Sequence, residues 1–266
     1  MPLWKLPAAN LDGSQATRER TLQATPLATT VRPWAPGDAF NRIHWKSTAR
    51  HGDIQVKEFD LEQTADAWIV LDLERSPQRG AGDESTVEVA VRVAAAVADK
   101  GLVENRSVGM TVNAHRLAQL QPDRGGRQHL KVMQLLAAVD GDGTTPLSEA
   151  LVGSVGRIRR GMTAIVITAS TERDWIKPLA SLRTRGIACV AITMDIPAFE
   201  AHQRGLAEQG ARAGEGRPTE RTAPAVDEDG ASAQAYRALR HALAEFDITV
   251  YRVGPTSRLA AALASQ

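Results

Sequence analysis

The sequence predicts an α/β fold: a doubly wound, mostly parallel, Rossmann-like sheet behind an extended N-terminal segment. After Ala65, apolar runs of four to six residues alternate with amphipathic helical stretches, which is how a parallel sheet with helices on its faces is written. The chain has 266 residues, 43% of them hydrophobic, so it can bury a core without disulfide or metal staples. On these grounds residues 1–64 are read as the N-terminal segment and 65–266 as the α/β domain.

Residues 1 to 30 are polar, without a sustained period, and predict an extended lead-in. From Val31 to Asp60, Trp34, Phe40, Ile43, Trp45, Ile54, Val56 and Phe59 are spread among charges. Pro36-Gly37 suits the central positions of a type II turn, so short strands and a tight turn are expected there.

The strand candidates are Trp68 to Leu71, Val108 to Val112, Ala164 to Thr168, Cys189 to Thr193 and Ile248 to Val253. Between the first two, Val87, Ala90, Val91, Ala94, Ala95, Ala98 and Leu102 recur at helical spacing, small enough for a helix to lie close to the sheet. Leu130, Met133, Leu136 and Val139 mark a second helix. Leu147, Leu151, Val155 and Ile158 mark a third, opening after Pro146. Ile176, Leu179 and Leu182 mark a fourth, and Tyr236, Leu239, Leu243 and Phe246 a fifth. The stretch 204–230 breaks the rhythm with five glycines, two prolines and charges of both signs, and is expected to be a flexible, solvated insertion.

Composition excludes several classes. Thirty-two Lys and Arg balance thirty-one Asp and Glu, so no global field draws the chain to nucleic acid or to an anionic membrane. The lone cysteine, Cys189, lies in an apolar run and reads as core. No apolar stretch reaches the ~20 residues of a membrane span, and Met1 to Asn10 lacks a signal-peptide layout. A soluble, cytoplasmic protein is expected. None of the six histidines, His44, His51, His115, His129, His202 and His241, pairs with another at metal-ligand spacing, so each reads as a surface or capping residue. Gly80, Gly82, Gly141 and Gly143 fit no phosphate-loop pattern.

Ligands of open α/β sheets bind outside the carboxyl ends of the strands, which directs attention to three loops. Asp72-Leu73-Glu74-Arg75-Ser76 follows the first strand with oxygen-bearing side chains at alternate positions. Asp140-Gly141-Asp142-Gly143-Thr144-Thr145 precedes the third helix, and Thr168-Ala169-Ser170-Thr171 follows the third strand. Magnesium takes about six oxygens in octahedral array, so Asp72, Glu74, Ser76, Thr144 and Thr145 are candidate ligands of Mg²⁺ or another divalent cation. The alternative is structural: Asp and Ser after a strand cap or turn the chain, and Thr144 or Thr145 before Pro146 is a natural N-cap.

The order of elements, with Asp72, Ser76 and the threonine turn, resembles the metal-ion-dependent adhesion site of von Willebrand factor A domains. That resemblance implies a divalent cation held by Asp-x-Ser-x-Ser, a later Thr and a later Asp. Here Glu74 replaces the middle Ser, and Ala169 and Ser170 stand where the aspartate belongs, so the site is expected to be degenerate.

Upstream, Arg32, Trp34, Gly37 and Asp38 are followed by Arg42, Ile43, Trp45, Lys46, Ala49 and Arg50, then by Lys57, Glu58 and Phe59. These residues, within 31–60, resemble the signature of the domain-of-unknown-function-58 family, with Trp34 for the usual Tyr and Asp60 for the usual Glu. The resemblance implies a von Willebrand-like domain after the signature. In relatives two membrane helices and a small β-rich segment often precede it, and Leu3 to Pro7 resemble the stretch after that segment. It also implies a MoxR-type AAA+ ATPase as partner and brings no catalytic activity. Read physically, Arg32, Arg42, Lys46, Arg50 and Lys57 face Asp38, Asp53, Glu58 and Asp60, a nearly self-neutral set that favours internal ion pairs and stacking on Trp34 and Trp45.

Three functions compete. A non-enzymatic interaction module would use Asp72, Glu74, Ser76 and Thr145 toward a partner protein. A metal-dependent hydrolase would place Asp72 and Glu74 around a cation that activates water, but no His lies near these loops in sequence and no nucleophile elbow is present. A single-stranded nucleic-acid binder would use Trp34, Trp45 and the arginines, against a local charge near zero.

Overall fold

The computed structural model describes residues 30–35, 43–58, 66–213 and 227–257. Described residues up to Glu58 and those from Asp66 onward fall in two compact units.

The first unit pairs β1 (Thr30–Pro33) antiparallel with β2 (Gln55–Glu58), Val31 opposite Lys57 and Arg32 opposite Val56. Between them lies α1 (Trp45–His51), a short helix absent from the strands-and-turn expectation. His44 caps it: Nδ1 accepts from the Ser47 backbone N–H at 3.2 Å and lies 2.6 Å from Ser47 Oγ. Ile43 and Val56 are buried, whereas Trp45 is 70% exposed and Trp34 36%. Gly37, Asp38, Arg42, Phe59 and the expected Pro36-Gly37 turn lie outside the described residues.

The second unit runs β3 (Asp66–Asp72), α2 (Thr86–Val103), β4 (Val108–Asn113), β5 (Leu117–Asp123), α3 (Gly125–Ala137), α4 (Leu147–Val155), β6 (Met162–Thr168), α5 (Ile176–Thr184), β7 (Ala188–Met194), α6 (Ile196–Ala213), α7 (Asp227–Glu245) and β8 (Thr249–Val253). The six strands are ordered β5-β4-β3-β6-β7-β8 and all pair in parallel except β5 with β4. The mostly parallel, helix-covered sheet expected from the sequence is the one observed.

Alternation along the central strands feeds two cores. Ala67, Ile69 and Leu71 of β3 pack with α2, α3 and α6, while Trp68 and Val70 pack with α4, α5 and α7. Trp68 is fully buried and donates its indole N–H to Thr111 Oγ1 at 3.1 Å; Thr111 in turn lies 3.0 Å from Ser154 Oγ. Gly109 is required beside it, because a Cβ there would stand 2.6 Å from Trp68 Cε3 and 2.9 Å from Pro122 Cγ.

Four expectations need correction. The deep face of α2 is Val89, Ala90, Val93, Ala94, Val97 and Ala98; Val87, Val91 and Ala95 are only partly buried. Leu130 faces solvent, and α3 buries Gln128, Val132 and Leu136. Strand β5 adds to the five expected strands; it contains Pro122, which is tolerated because at the sheet edge a missing N–H costs nothing. The stretch 204–230 is helical at both ends, where α6 runs into it and α7 begins inside it, because Ile196 and Phe199 anchor α6 and Tyr236, Leu239 and Leu243 anchor α7 in the cores.

Candidate functional site

Parallel pairing brings the ends of β4, β3 and β6 side by side, Asp72 directly opposite Asn113 and Leu71 opposite Ile167. Asp72, Asn113 and Thr168 are each 0% exposed. The Asp72 carboxylate is filled by this neighbourhood. Oδ1 accepts from Asn113 Nδ2 at 2.9 Å and from the Glu74 N–H at 3.2 Å, and Oδ2 accepts from Thr168 Oγ1 at 2.7 Å. Burial pushes the carboxyl above its ordinary value, and the three hydrogen bonds pull it back.

The same groups clamp the adjoining loops. Asn113 Nδ2 also donates to the Thr145 carbonyl at 2.8 Å, and Thr168 Oγ1 accepts from the Ser170 N–H at 2.8 Å. Glu74 bridges to Gly143, whose N–H donates to the Leu73 carbonyl at 3.1 Å and whose carbonyl accepts from the Arg75 N–H at 2.9 Å. Only glycine fits at 143, since a Cβ would meet the Leu73 carbonyl at 2.9 Å and the Asn113 carbonyl at 3.1 Å. Asp142 Oδ1 accepts from the His115 N–H at 2.9 Å. The fold thus brings a histidine to these loops after all, with Nδ1 3.9 Å from Asp142 Oδ2; nothing in the spacing of residues 115 and 142 announces it.

Neither Thr144 nor Thr145 caps α4 with its side chain. The N-cap position is Pro146, which makes no side-chain hydrogen bond; the Leu147 backbone N–H in the first turn acts instead to lower the Glu74 carboxyl. A carboxylate near a helix N-terminus is favoured by the helix dipole. Glu74 is half-buried; desolvation first, then the charges of Asp72, Glu172 and Asp174, raise its carboxyl above the ordinary value. Asp174 accepts from Ser148 Oγ at 2.7 Å, tying the β6–α5 loop to the first turn of α4.

The five candidate cation ligands are therefore not one ligand set. Asp72 is consumed internally, Glu74 serves α4, Thr145 joins the network through its carbonyl, and Ser76 and Thr144 are exposed. Among the described residues no three His, Cys, Asp or Glu side chains come together as a metal site. A divalent cation at Asp72 would have to displace Asn113 and Thr168, so the residues present do not fit the ion that the resemblance implies. Asp72 is also sealed from solvent, beyond the reach a general base needs toward a substrate.

The profile of the family described as Protein of unknown function DUF58 matches residues 30–203, from β1 into α6. The chain belongs to this family. Among the family signature residues, Arg32 lies on β1, Lys57 and Glu58 on β2, and Trp45, Lys46, Ala49 and Arg50 on α1. The chain is 24% identical over 159 residues to the uncharacterized protein Mb1516 of Mycobacterium bovis, an alignment covering 58% of this chain and 50% of that protein. It is 25% identical over 152 residues to the uncharacterized protein YeaD of Bacillus subtilis, covering 56% of this chain and 36% of YeaD. The DUF58 chain thus spans about half the length, or less, of these relatives. Similar solved structures include the conserved hypothetical protein BatB from Bacteroides thetaiotaomicron, at 17% identity and a TM-score of 0.48 over 75% of this chain and 95% of that one. The SpRpn10 VWA domain matches at 9% identity and a TM-score of 0.44, over 75% and 93%. No helix among the described residues is long and apolar enough to cross a membrane.

Proposed function

We propose that this DUF58 domain is a non-enzymatic protein-interaction module, an adapter whose partner meets the loops at the carboxyl ends of β3, β4 and β6. The partner we assign is a MoxR-type AAA+ ATPase, and the contact needs no bridging cation. The observation that carries this reading is the Asp72 network: the central carboxylate acts as an internal tie that holds three loops in place, not as a ligand facing outward.

What those loops present is polar and acid-rich. Glu172, Arg173 and Asp174 are exposed after β6, Asp140 before α4, and Ser76 and Thr144 beside them. A cleft of about 440 Å³ opens next to them between Arg75, Asp83, Glu88 and Asp140. Loops pinned by buried hydrogen bonds lose little entropy on association, which favours recognition by a preformed surface.

The test uses the purified chain and a purified MoxR-type ATPase in a surface-binding assay, with the immobilised chain washed with chelator beforehand. Binding is expected to survive the chelator wash and to weaken about tenfold or more in Glu172→Lys/Arg173→Glu, at an unchanged melting temperature. Equal binding by that double variant would remove the surface from these loops; loss of binding after chelation, restored by Mg²⁺, would return the cation to the site.

A further inference from the structure

A net charge near zero hides a local excess of positive charge at the amino ends of β6 and β7. The connection from α4 into β6 reads Gly156-Arg157-Ile158-Arg159-Arg160-Gly161, and the turn from α5 into β7 reads Arg183-Thr184-Arg185-Gly186. Because β6 and β7 are adjacent and parallel, the two connections lie side by side, at the end of the sheet away from the acid-rich loops. Together they bring five arginines and no carboxylate of their own.

The arginines are drawn together in spite of their like charge. Arg160 Nε donates to the Arg185 carbonyl at 3.1 Å, and Arg185 Nη1 donates back to the carbonyl of Val155, the last residue of α4, at 3.4 Å. The negative ends of the α4 and α5 dipoles offset part of the repulsion. These bonds orient the guanidiniums without neutralising them: Arg160 keeps its two Nη groups, and Arg185 its Nε and Nη2 edge, for another acceptor. Arg157 and Arg159 are exposed, and their side chains have no hydrogen bond or ion pair among the described residues. The neighbouring acids are engaged, Asp247 with Arg183, Glu245 with His241 at 3.1 Å, and Asp66, beside β6, with Arg124 at 3.0 Å.

Capping of helix ends accounts for Arg160 and Arg185 but not for Arg157 and Arg159. Oriented forks match discrete carboxylates, each held in bidentate fashion, and clusters of arginine recognise acidic motifs in this way. A lipid surface fits less well, because Ile158 and Ile187, the apolar side chains of the two connections, are 0% exposed and offer nothing to a bilayer. Neither connection holds an aromatic side chain on which a nucleic-acid base could stack.

We propose that the 157–160 loop and the 183–185 turn form a docking surface for an acidic, Glu- or Asp-rich segment of a partner protein. The surface lies at the opposite end of the sheet from the adapter loops and does not rest on that reading.

The experiment measures fluorescence anisotropy of a labelled oligoglutamate peptide titrated with the whole chain. Saturable binding is expected, weakening with added salt and falling about tenfold or more in Arg157→Glu/Arg159→Glu. Arg75→Glu/Arg173→Glu makes the same change of net charge at the carboxyl-end loops and is expected to leave the affinity within about twofold. Arg160→Lys/Arg185→Lys keeps the charge and loses the fork, so a fall of about threefold or more is expected. The melting temperature of each variant checks the fold. Absence of binding to the unaltered chain, or full binding by Arg157→Glu/Arg159→Glu, would overturn the proposal. An equal loss in Arg75→Glu/Arg173→Glu would do the same by reducing the effect to net charge, as would full binding by the lysine pair by reducing it to diffuse attraction. Tighter binding of a single-stranded oligonucleotide, or of phosphatidylserine-containing vesicles, than of the peptide would assign the arginines to phosphate instead.

Discussion

Asn113 Nδ2 donates to Asp72 Oδ1 at 2.9 Å, joining the last residues of two adjacent parallel strands in a fully buried position. With Thr168 on the other side, the carboxylate becomes a keystone between β4, β3 and β6. Its partners lie 41 and 96 residues away along the chain.

Asp72→Ala removes the acceptor of one Asn113 amide N–H, of the Glu74 N–H and of the Thr168 hydroxyl in a fully buried position, and is expected to cost at least about 2 kcal/mol in denaturant unfolding. Asp72→Asn keeps shape and an acceptor and is expected to stay within about 1 kcal/mol. A loss as large for Asn as for Ala would show that both oxygens must accept, which an amide cannot do.

The pH dependence follows from the direction of the Asp72 shift. Its folded carboxyl is raised above the ordinary 3.8, so between 3.8 and the folded value the native state holds a proton that the unfolded chain has released. This group's contribution is therefore greatest below pH 3.8 and declines as pH rises through that window. Asp72→Asn removes the decline, so the difference in stability between variant and parent is expected to move in the variant's favour from acid to neutral pH. A difference that is flat with pH would contradict the raised carboxyl.

Gly143→Ala drives a methyl into the Leu73 and Asn113 carbonyls, and a loss of about 1–3 kcal/mol is expected from thermal unfolding. Because Gly143 bridges Glu74, faster amide exchange at Gly143 and Arg75 should accompany it. Unchanged exchange would place the damage elsewhere.

Thr111→Val preserves volume but leaves the buried Trp68 indole N–H without its acceptor. A cost of about 1–3 kcal/mol is expected, with a shift in tryptophan fluorescence. A neutral substitution would mean that the indole finds another partner.

Burial pushes the Cys189 thiol up to about 12, so at pH 8 roughly one part in ten thousand is thiolate. Thiol reagents are expected to react only after unfolding, at the rate of opening. Rapid stoichiometric labelling of the native chain would contradict the buried position.

Strand and helix periods are local signals, and the five apolar runs and five helical stripes read from them reappear as β3, β4, β6, β7 and β8 and as α2, α3, α4, α5 and α7. Strand β5 and helix α6 were not legible, one because Pro122 is tolerated only at an edge, the other because Ile196 and Phe199 anchor a mostly polar helix. Asp72 and Glu74 stood out in the sequence as oxygen-bearing residues at a strand end. Asn113 and His115 did not, since an Asn closing a strand carries no signal until its neighbour strand is known.

The sequence by itself determined the alternation of strands and helices, the family signature, and which loops lie at the carboxyl ends of the strands. Only the tertiary structure decided what Asp72 does there. Strand order is a long-range property: it set Asn113 and Thr168 against the carboxylate, so donors from the protein fill the lone pairs that the sequence pattern alone would have offered to a cation.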